Sequence, residues 1–518
     1  MRLSSNTTML LKLIVIAAAA LAQAGSTWAN AVTPRDFGGK GDVVTLRDGA
    51  ITAATPSFHS GSAAFTAADV GKAIVVTGAA ERGVALVTKI KGFVSPKELT
   101  LEANASATVR DALTYYGTDD TKAIRSCVFE GTAKGGECII NDGVTFMVSN
   151  TTSIMSPFQA GHNPIPKGTI GGYGRIIFAP QEPFTAATND RLFYISSQET
   201  RPMQIAGAIA IGATSFRAQD PSDAATLTMG DWLLVTERDP TVKDHVYADW
   251  MQVAGVEGTV IQTKKPFRTQ FPNVRSWSGP PAYWGLSFRK VGPLTSNITI
   301  RDLTIIVPKR TRGPGAISTR DSMRTVISNV RCQNASGSCF FGYMDQGMIF
   351  RHNNINGALY PEFAAAVDAE ISGNHFNEQG TALSLPGPPT AGGLEVDFGT
   401  AFTSITDNVI GPSHQVCIML WPAVHDTIVK GNTCGVVTFG TGAACILARG
   451  GYRITATENT CMGGTGASRG IDFMDALIPN TPIYSNSNKI FNNRVQGFAT
   501  PYACEGGRLR TDACDHRK

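Results

Sequence analysis

The sequence predicts an all-β protein whose main body is a parallel β-helix, a coil of short strands stacked on itself. Three observations carry this. Short apolar strands recur through the C-terminal half, each followed by an asparagine. Glycine is abundant, at 54 of 518 residues, and charged residues make up only 17%, which suits tight turns and an uncharged polar surface. No 3.6-residue helical pattern runs through the repeat.

The repeat reads VISNVRC at Asn329, FRHNNIN at Asn354, ISGNHF at Asn374, ITDNVI at Asn408, IVKGNTC at Asn432, ATENTC at Asn459 and IFNNRV at Asn493. IRDLTI places Asp302 in the same slot, and the intervals run from 20 to 34 residues. Such a period with alternating apolar residues describes the coils of a β-solenoid. A sharp bend between two strands needs a residue that tolerates the left-handed conformation, and asparagine does so cheaply. Stacked coils would bring those amides about 4.8 Å apart, close enough for a hydrogen-bonded ladder from Asp302 through Asn329 to Asn493.

A chain of this length buries a sizeable core. Its net charge of +4 falls to +2 if Arg2 and Lys12 leave with a leader. That is too little for a nucleic-acid or anionic-membrane binder, so an anionic substrate would need local charge in a cleft. The N-terminus reads as a signal peptide over 1–31. Arg2 and Lys12 precede an apolar run from Leu13 to Ala22, and Ala29-Asn30-Ala31 offers a cleavage site. No later segment reaches membrane-spanning length, so a secreted or periplasmic protein is expected. In that setting Cys127 with Cys138, Cys332 with Cys339, and Cys504 with Cys514 read as disulfides. Cys417 and Cys445 share one slot, and Cys434 and Cys461 another. Stacked disulfides and buried free thiols both remain open there. No C-x-x-C or His-Cys cluster supports zinc.

The N-terminal part carries VTPRDFGGKGD (Val32 to Asp42) and YGTDDTKAI (Tyr116 to Ile124). Together these resemble the opening motif of the pectate-lyase-like superfamily, which includes polygalacturonase-like and rhamnogalacturonase-like proteins and phage tailspikes. The family pattern is roughly D-F-G-A-x-G-D-G-x-x-D-D-T-x-A. Here Gly39 replaces the alanine and some 70 residues part the two halves. The resemblance implies a right-handed parallel β-helix of the pectin-lyase type. Asp119 or Asp120 would then cap a helix starting at Thr121, and that helix would cover the open end of the coil. The expected organisation is an opening segment over 32–126 with a β-module inserted at about 43–113. Early coils follow over 127–295 with a second insertion at about 205–270, then regular coils over 296–500 and a tail over 501–518. The two insertions echo each other, as in DVGKAIVV and MGDWLLV.

Active members of that superfamily work in a groove on one face of the coil. The matching strands here are GAISTRD, CFFGYMD, GLEVDFG, VCIMLWP, ACILARG and RGIDFMD. Placing Leu394, Val396 and Phe398 inward turns Glu395 and Asp397 outward, with Cβ atoms about 6–7 Å apart. Asp472 points outward on a later coil. Arg449 and Asp475 fall at strand ends, and Asp321, Tyr343 and Asp345 on earlier coils. Glu395, Asp397, Asp472 and Arg449 are the catalytic candidates. Asp475, Tyr343, Asp345, His414, His425 and Trp421 are the substrate-binding candidates, the two histidines bracketing one strand in SHQVCIMLWPAVHD. The loop from Ser384 to Gly393 would wall the cleft. Salt bridging and plain solvation of the face are the competing readings of these side chains, and Trp421 could stack on a sugar ring but reads more readily as filling the core.

Carboxylates beside an arginine can serve as acid and base in glycoside hydrolysis. They can also hold Ca²⁺ while a Lys, Arg or Tyr removes a proton next to a uronate carboxyl. The N-T-D, G-H-G and R-I-K motifs of polygalacturonases are absent, and D-D occurs only at Asp119-Asp120. The resemblance therefore implies the fold and leaves the chemistry open. A polysaccharide lyase or glycoside hydrolase is expected, with no resident cofactor beyond Ca²⁺ in the lyase case. A non-catalytic glycan-binding or adhesion protein and a uronate epimerase are the alternatives. The expected partner is a polysaccharide, with no nucleic acid or membrane span, and a homo-oligomer is left open.

Overall fold

The computed structural model describes residues 31–133, 135–141, 143–150, 167–180, 191–239, 244–272, 285–309, 315–377, 392–412, 416–437, 444–464, 467, 469–475, 487–505 and 514–517. The leader lies outside these residues, as do His414 and positions 384–391 of the loop expected to wall the cleft. Among the described residues no helix is long and apolar enough to cross a membrane.

The body is a right-handed parallel β-helix. Three parallel sheets of twelve, ten and nine strands run along it among the described residues. One coil shows the path. Ile298–Arg301 belongs to the twelve-stranded sheet, Thr304–Val307 to the ten-stranded and Gly315–Arg320 to the nine-stranded. The chain then returns to the twelve-stranded sheet at Val326–Ser328. Alternation puts one apolar residue of each short strand inward, and coil register stacks these in files. Ile300, Ile327, Phe350, Ile371, Ile405 and Val429 form one file, all buried. Phe363, Val396, Leu420, Ala448 and Phe473 form another.

The tight turn between the twelve- and ten-stranded sheets uses two residues with separate jobs. The first takes the left-handed conformation: Asp302, Asn329, His352, Gly373, Asp407, Gly431, Glu458 and Asn492 have φ between 52° and 69°. The second points inward, and there the asparagines stack. The ladder is Asn353, Asn374, Asn408, Asn432, Asn459 and Asn493. Each Nδ2 donates to the next Oδ1 at 2.9–3.0 Å. This corrects the expected register. Asn329 and Asp302 are left-handed turn residues, and Val330 and Leu303 fill their ladder positions. Asn354 lies one residue past the ladder. The ladder asparagines are selected for buried amide bonding, and the residue before each supplies the bend.

The opening motif holds the end of the coil. The Asp120 carboxylate accepts from the Lys40 and Gly41 N–H groups at 2.7 and 3.1 Å, joining the two halves. Asp119 Oδ1 accepts from Thr121 N and Oγ1 and from Ser149 N. These contacts start the helix Thr121–Thr132, which covers the first coil.

Two small closed barrels interrupt the coil, and they share one strand order. The first runs from Val44–Ile51 to Val109–Gly117. It packs Ala73, Val75, Ala85 and Tyr115 against Met147, Ile177 and Ile306 of the ten-stranded sheet. The second runs from Met203–Ala206 to Gly285–Val291. It lays Leu234, Ala248 and Trp250 on the corner between the nine- and twelve-stranded sheets, against Met323, Met344, Ala365 and Val367.

Four disulfides join Cys127 to Cys138, Cys332 to Cys339, Cys417 to Cys434 and Cys445 to Cys461. Cys504 is disulfide-bonded as well. The stacked pairing of Cys417 with Cys445 and Cys434 with Cys461 does not occur. Stacked side chains point the same way, whereas Cys417 and Cys434 face each other across the core at a Cα separation of 6.0 Å.

Candidate functional site on the nine-stranded sheet

The outer face of the nine-stranded sheet carries two files of outward residues. Strand register sets the first as Tyr194, Ser318, Phe341, Glu362, Glu395, Met419, Leu447 and Asp472. The second holds Arg320, Tyr343, Ala364 and Asp397, and further along Arg449 and Met474. From Tyr194 to Asp472 is seven strand spacings, roughly 34 Å. A face of that length matches an extended polymer better than a single small molecule.

At its centre stand the carboxyls. Glu395 and Asp397 are joined by a side-chain hydrogen bond, and Tyr360 bonds to Glu395 as well. Burial raises the Glu395 pKa, because the charged form loses water that neighbours only partly replace. Burial and the adjacent Glu395 likewise raise the Tyr360 phenol. Glu395 and Asp397 point away from the core as expected, yet they are only 6% and 3% exposed. Phe398 departs from the expected alternation. Its φ of 48° turns the chain at the strand end, so it does not join the inward file of Leu394 and Val396.

Glu362 is the residue that alternation alone passed over. Its strand, Glu362–Ala364, is three residues long, and Glu362 pairs in register with Glu395 on the next strand. It also lies near enough to Tyr360 to raise that phenol further. The signal was the echo of PEFAA in GLEVD, one coil later.

The remaining candidates separate. Asp472 is buried and held by Arg469 at 2.8 Å, three strands from Glu395. Arg449 lays its guanidinium 4.8 Å from the Trp421 ring centroid, and both are half-buried at the face. Trp421 therefore belongs to the face and not to the core. Asp475 follows that last strand, half-buried. Tyr343 lines a pocket with Arg191, Tyr194, Ser318, Thr319, Arg320 and Phe341.

Two candidates do not reach the face. Asp345 is buried in the corner turn, accepting from Thr319 Oγ1 and from Ser322 N and Oγ. Burial pushes its pKa up to about 6. His425 has no exposed surface. It stacks on Tyr452 with centroids 4.8 Å apart, and its Nδ1 meets Asp426 at 2.7 Å. Burial lowers its pKa. It follows a groove strand in sequence, but the intervening turn carries it into the corner. Asp321 is buried in that corner too, paired with Arg320, and burial raises its pKa.

Among the described residues no three carboxylates converge within ligand distance, so the acidic residues do not fit a calcium cage. The cysteines that do converge are closed as disulfides.

Fold and face together define a parallel β-helix with an acid-centred outer face. No protein-family model matches the sequence, and a search of curated proteins finds no match. Solved structures are similar at low identity. The gp54 tailspike of Acinetobacter baumannii bacteriophage AP22, in complex with capsular saccharide, is 11% identical over 77% of each chain, with a TM-score of 0.40. The Pseudomonas phage phi297 tailspike gp61 is 10% identical over 74% of this chain and 69% of its own, at 0.42. The A-module of the Azotobacter vinelandii mannuronan C-5 epimerase AlgE4 is 10% identical over 77% of this chain and 96% of its own, at 0.36. These likenesses carry no chemistry across; the strand pairing itself defines the fold.

Proposed function

We propose that this protein is a carbohydrate-active enzyme, a glycoside hydrolase that binds a polysaccharide along the outer face of the nine-stranded sheet. The observation that carries the reading is the hydrogen-bonded chain Tyr360–Glu395–Asp397 with Glu362 in register beside it. Burial raises the Glu395 pKa above its ordinary value, the direction a general acid needs to protonate a leaving glycosidic oxygen. Asp397 is hydrogen-bonded to Glu395 on the same strand and lies too close to serve as the separate second carboxylate. Glu362 takes that role. Adjacent strands lie about 4.8 Å apart, so Glu362 and Glu395 leave the sheet side by side, and product stereochemistry tells whether their carboxyls work at the roughly 5–5.5 Å spacing of retaining enzymes or across the wider inverting gap. The four disulfides support an extracellular or periplasmic setting.

The burial of Glu395 and Asp397 favours one alternative, a glycan-binding β-helix in which the pair only packs. Incubation with a panel of neutral and acidic polysaccharides separates the readings. New reducing ends without unsaturated products are expected. Glu395→Gln and Glu362→Gln should each cut the rate by about 100-fold or more with the circular dichroism unchanged. Unsaturated products would identify a lyase, and binding without cleavage would leave the packing role.

A further inference from the structure

One end of the face holds a pocket with its own chemistry. Its volume is about 300 Å³, at the small end for ligand sites, and suits one ring of a polymer more than a free-standing oligomer. Phe341 and Tyr343, two residues apart on one strand, present near-parallel rings, 18° between planes and 6.2 Å between centroids. Tyr194 adds a third aromatic wall.

The charged groups in the lining are Arg191 and Arg320, with no carboxylate among them. Arg320 is aimed from behind. Glu199 Oε1 and Asp321 Oδ2 hold its guanidinium at 2.9 and 3.2 Å, and it lies 5.5 Å from the Tyr343 ring centroid. Arg191 crosses directly over Gly315. A Cβ at position 315 would stand 2.5 Å from Arg191 Nε and 2.8 Å from Cζ, so only glycine lets the guanidinium lie there. Flat aromatic walls receive a sugar face, and guanidiniums receive an anion bidentately.

We infer that this pocket is a subsite for one acidic sugar unit, a ring bearing a carboxylate or sulfate. It rests on the proposed reading of the face as a polysaccharide groove. Phe341 and Ser318 lie two and three strands from Glu395, so the acidic unit is read roughly 10–14 Å from the bond being cleaved. The subsite sets which linkage of a mixed polymer reaches the carboxyls.

The test is calorimetric titration of the full chain carrying Glu395→Gln, which prevents turnover. The probes are trimers of galacturonate, glucuronate and mannuronate, their methyl esters, and a sulfated galactose disaccharide that bears no carboxylate, beside its unsulfated form. At least one acidic probe should bind tenfold or more tighter than its neutral counterpart, and the carboxylate and sulfate arms tell the two anions apart. Arg191→Gln should erase that preference while leaving ester binding unchanged. Gly315→Ala should do the same with Arg191 still present, and Arg191→Gln keeps the test decisive if that variant fails to fold. Equal binding of acid and ester, no binding of any acidic probe, or a preference surviving Arg191→Gln overturns the subsite. Cleavage by the unsubstituted chain without acid preference would sink the subsite and spare the hydrolase; acid preference with no cleavage by the unsubstituted chain would do the reverse.

Discussion

Asn408 carries the clearest stability prediction. Its Nδ2 donates to Asn432 Oδ1 and to the Ile371 carbonyl, both at 2.9 Å. Its Oδ1 accepts from Asn374 N and Nδ2, also at 2.9 Å. The residue has no exposed surface, so Asn408→Ala leaves the freed groups without water. Four hydrogen bonds at about 1 kcal/mol each predict a loss of about 4 kcal/mol. A solenoid couples each coil mainly to its neighbours, so the loss falls on the strands around positions 371–437. Hydrogen exchange read by mass spectrometry should show these amides exchanging about 1000-fold faster, since 1.4 kcal/mol is a factor of ten. Asn493→Ala is the internal control. That side chain also makes four bonds, to Ala456 and Phe491 carbonyls and from Asn459, but it is only half-buried and water can replace them. Its loss should stay near 1–2 kcal/mol. Equal losses at the two positions, or less than about 1 kcal/mol at Asn408, would refute the ladder as a buried load.

Burial pushes the Asp249 pKa up to about 6, against about 3.9 in an unfolded chain. A raised folded pKa means that the folded state holds the proton more tightly, so this stability is present below about pH 4 and is lost as pH rises towards 6. Asp249→Asn should therefore gain about 2–3 kcal/mol relative to the parent between pH 4 and 7, measured by urea unfolding at each pH; a constant difference would contradict it. Trp250 anchors the second barrel, with Nε1 donating to the Met344 carbonyl at 3.1 Å. Trp250→Ala should cost about 3–5 kcal/mol and expose the barrel to limited proteolysis, with the coils beyond residue 400 still protected.

Much of the fold was legible because a solenoid writes its period directly into the sequence. Strands of three to six residues alternate in and out, and the turn between two sheets repeats a two-residue unit. What sequence did not separate was the division of labour within that unit. Asparagine satisfies both positions, one through its tolerance of positive φ and one through its amide. In His352-Asn353-Asn354 the ladder residue is the middle one. At Asn329 the amide sits in the bend, and the apolar Val330 takes the inward place. Only the backbone conformation and the stacked bonds distinguish the two.

The site was legible as far as alternation reaches and no further. Period two placed Glu395, Asp397 and Asp472 on one face, but a strand of three residues such as Glu362–Ala364 offers too little alternation to be read alone. Parity also fails across a turn, which is why His425 and Asp345 enter the corner under the second barrel. Side-chain reach was a further unknown. Cβ atoms two residues apart on a strand start about 6–7 Å from each other, yet the longer glutamate arm closes that gap and bonds to Asp397. Two carboxyls bonded to each other titrate as a pair. A separate base or nucleophile must then come from another strand. Asp472 is roughly 14 Å away and tied to Arg469, whereas Glu362 is one strand away in register. Register between coils, more than spacing along any one strand, decides which carboxylates can work together on this face.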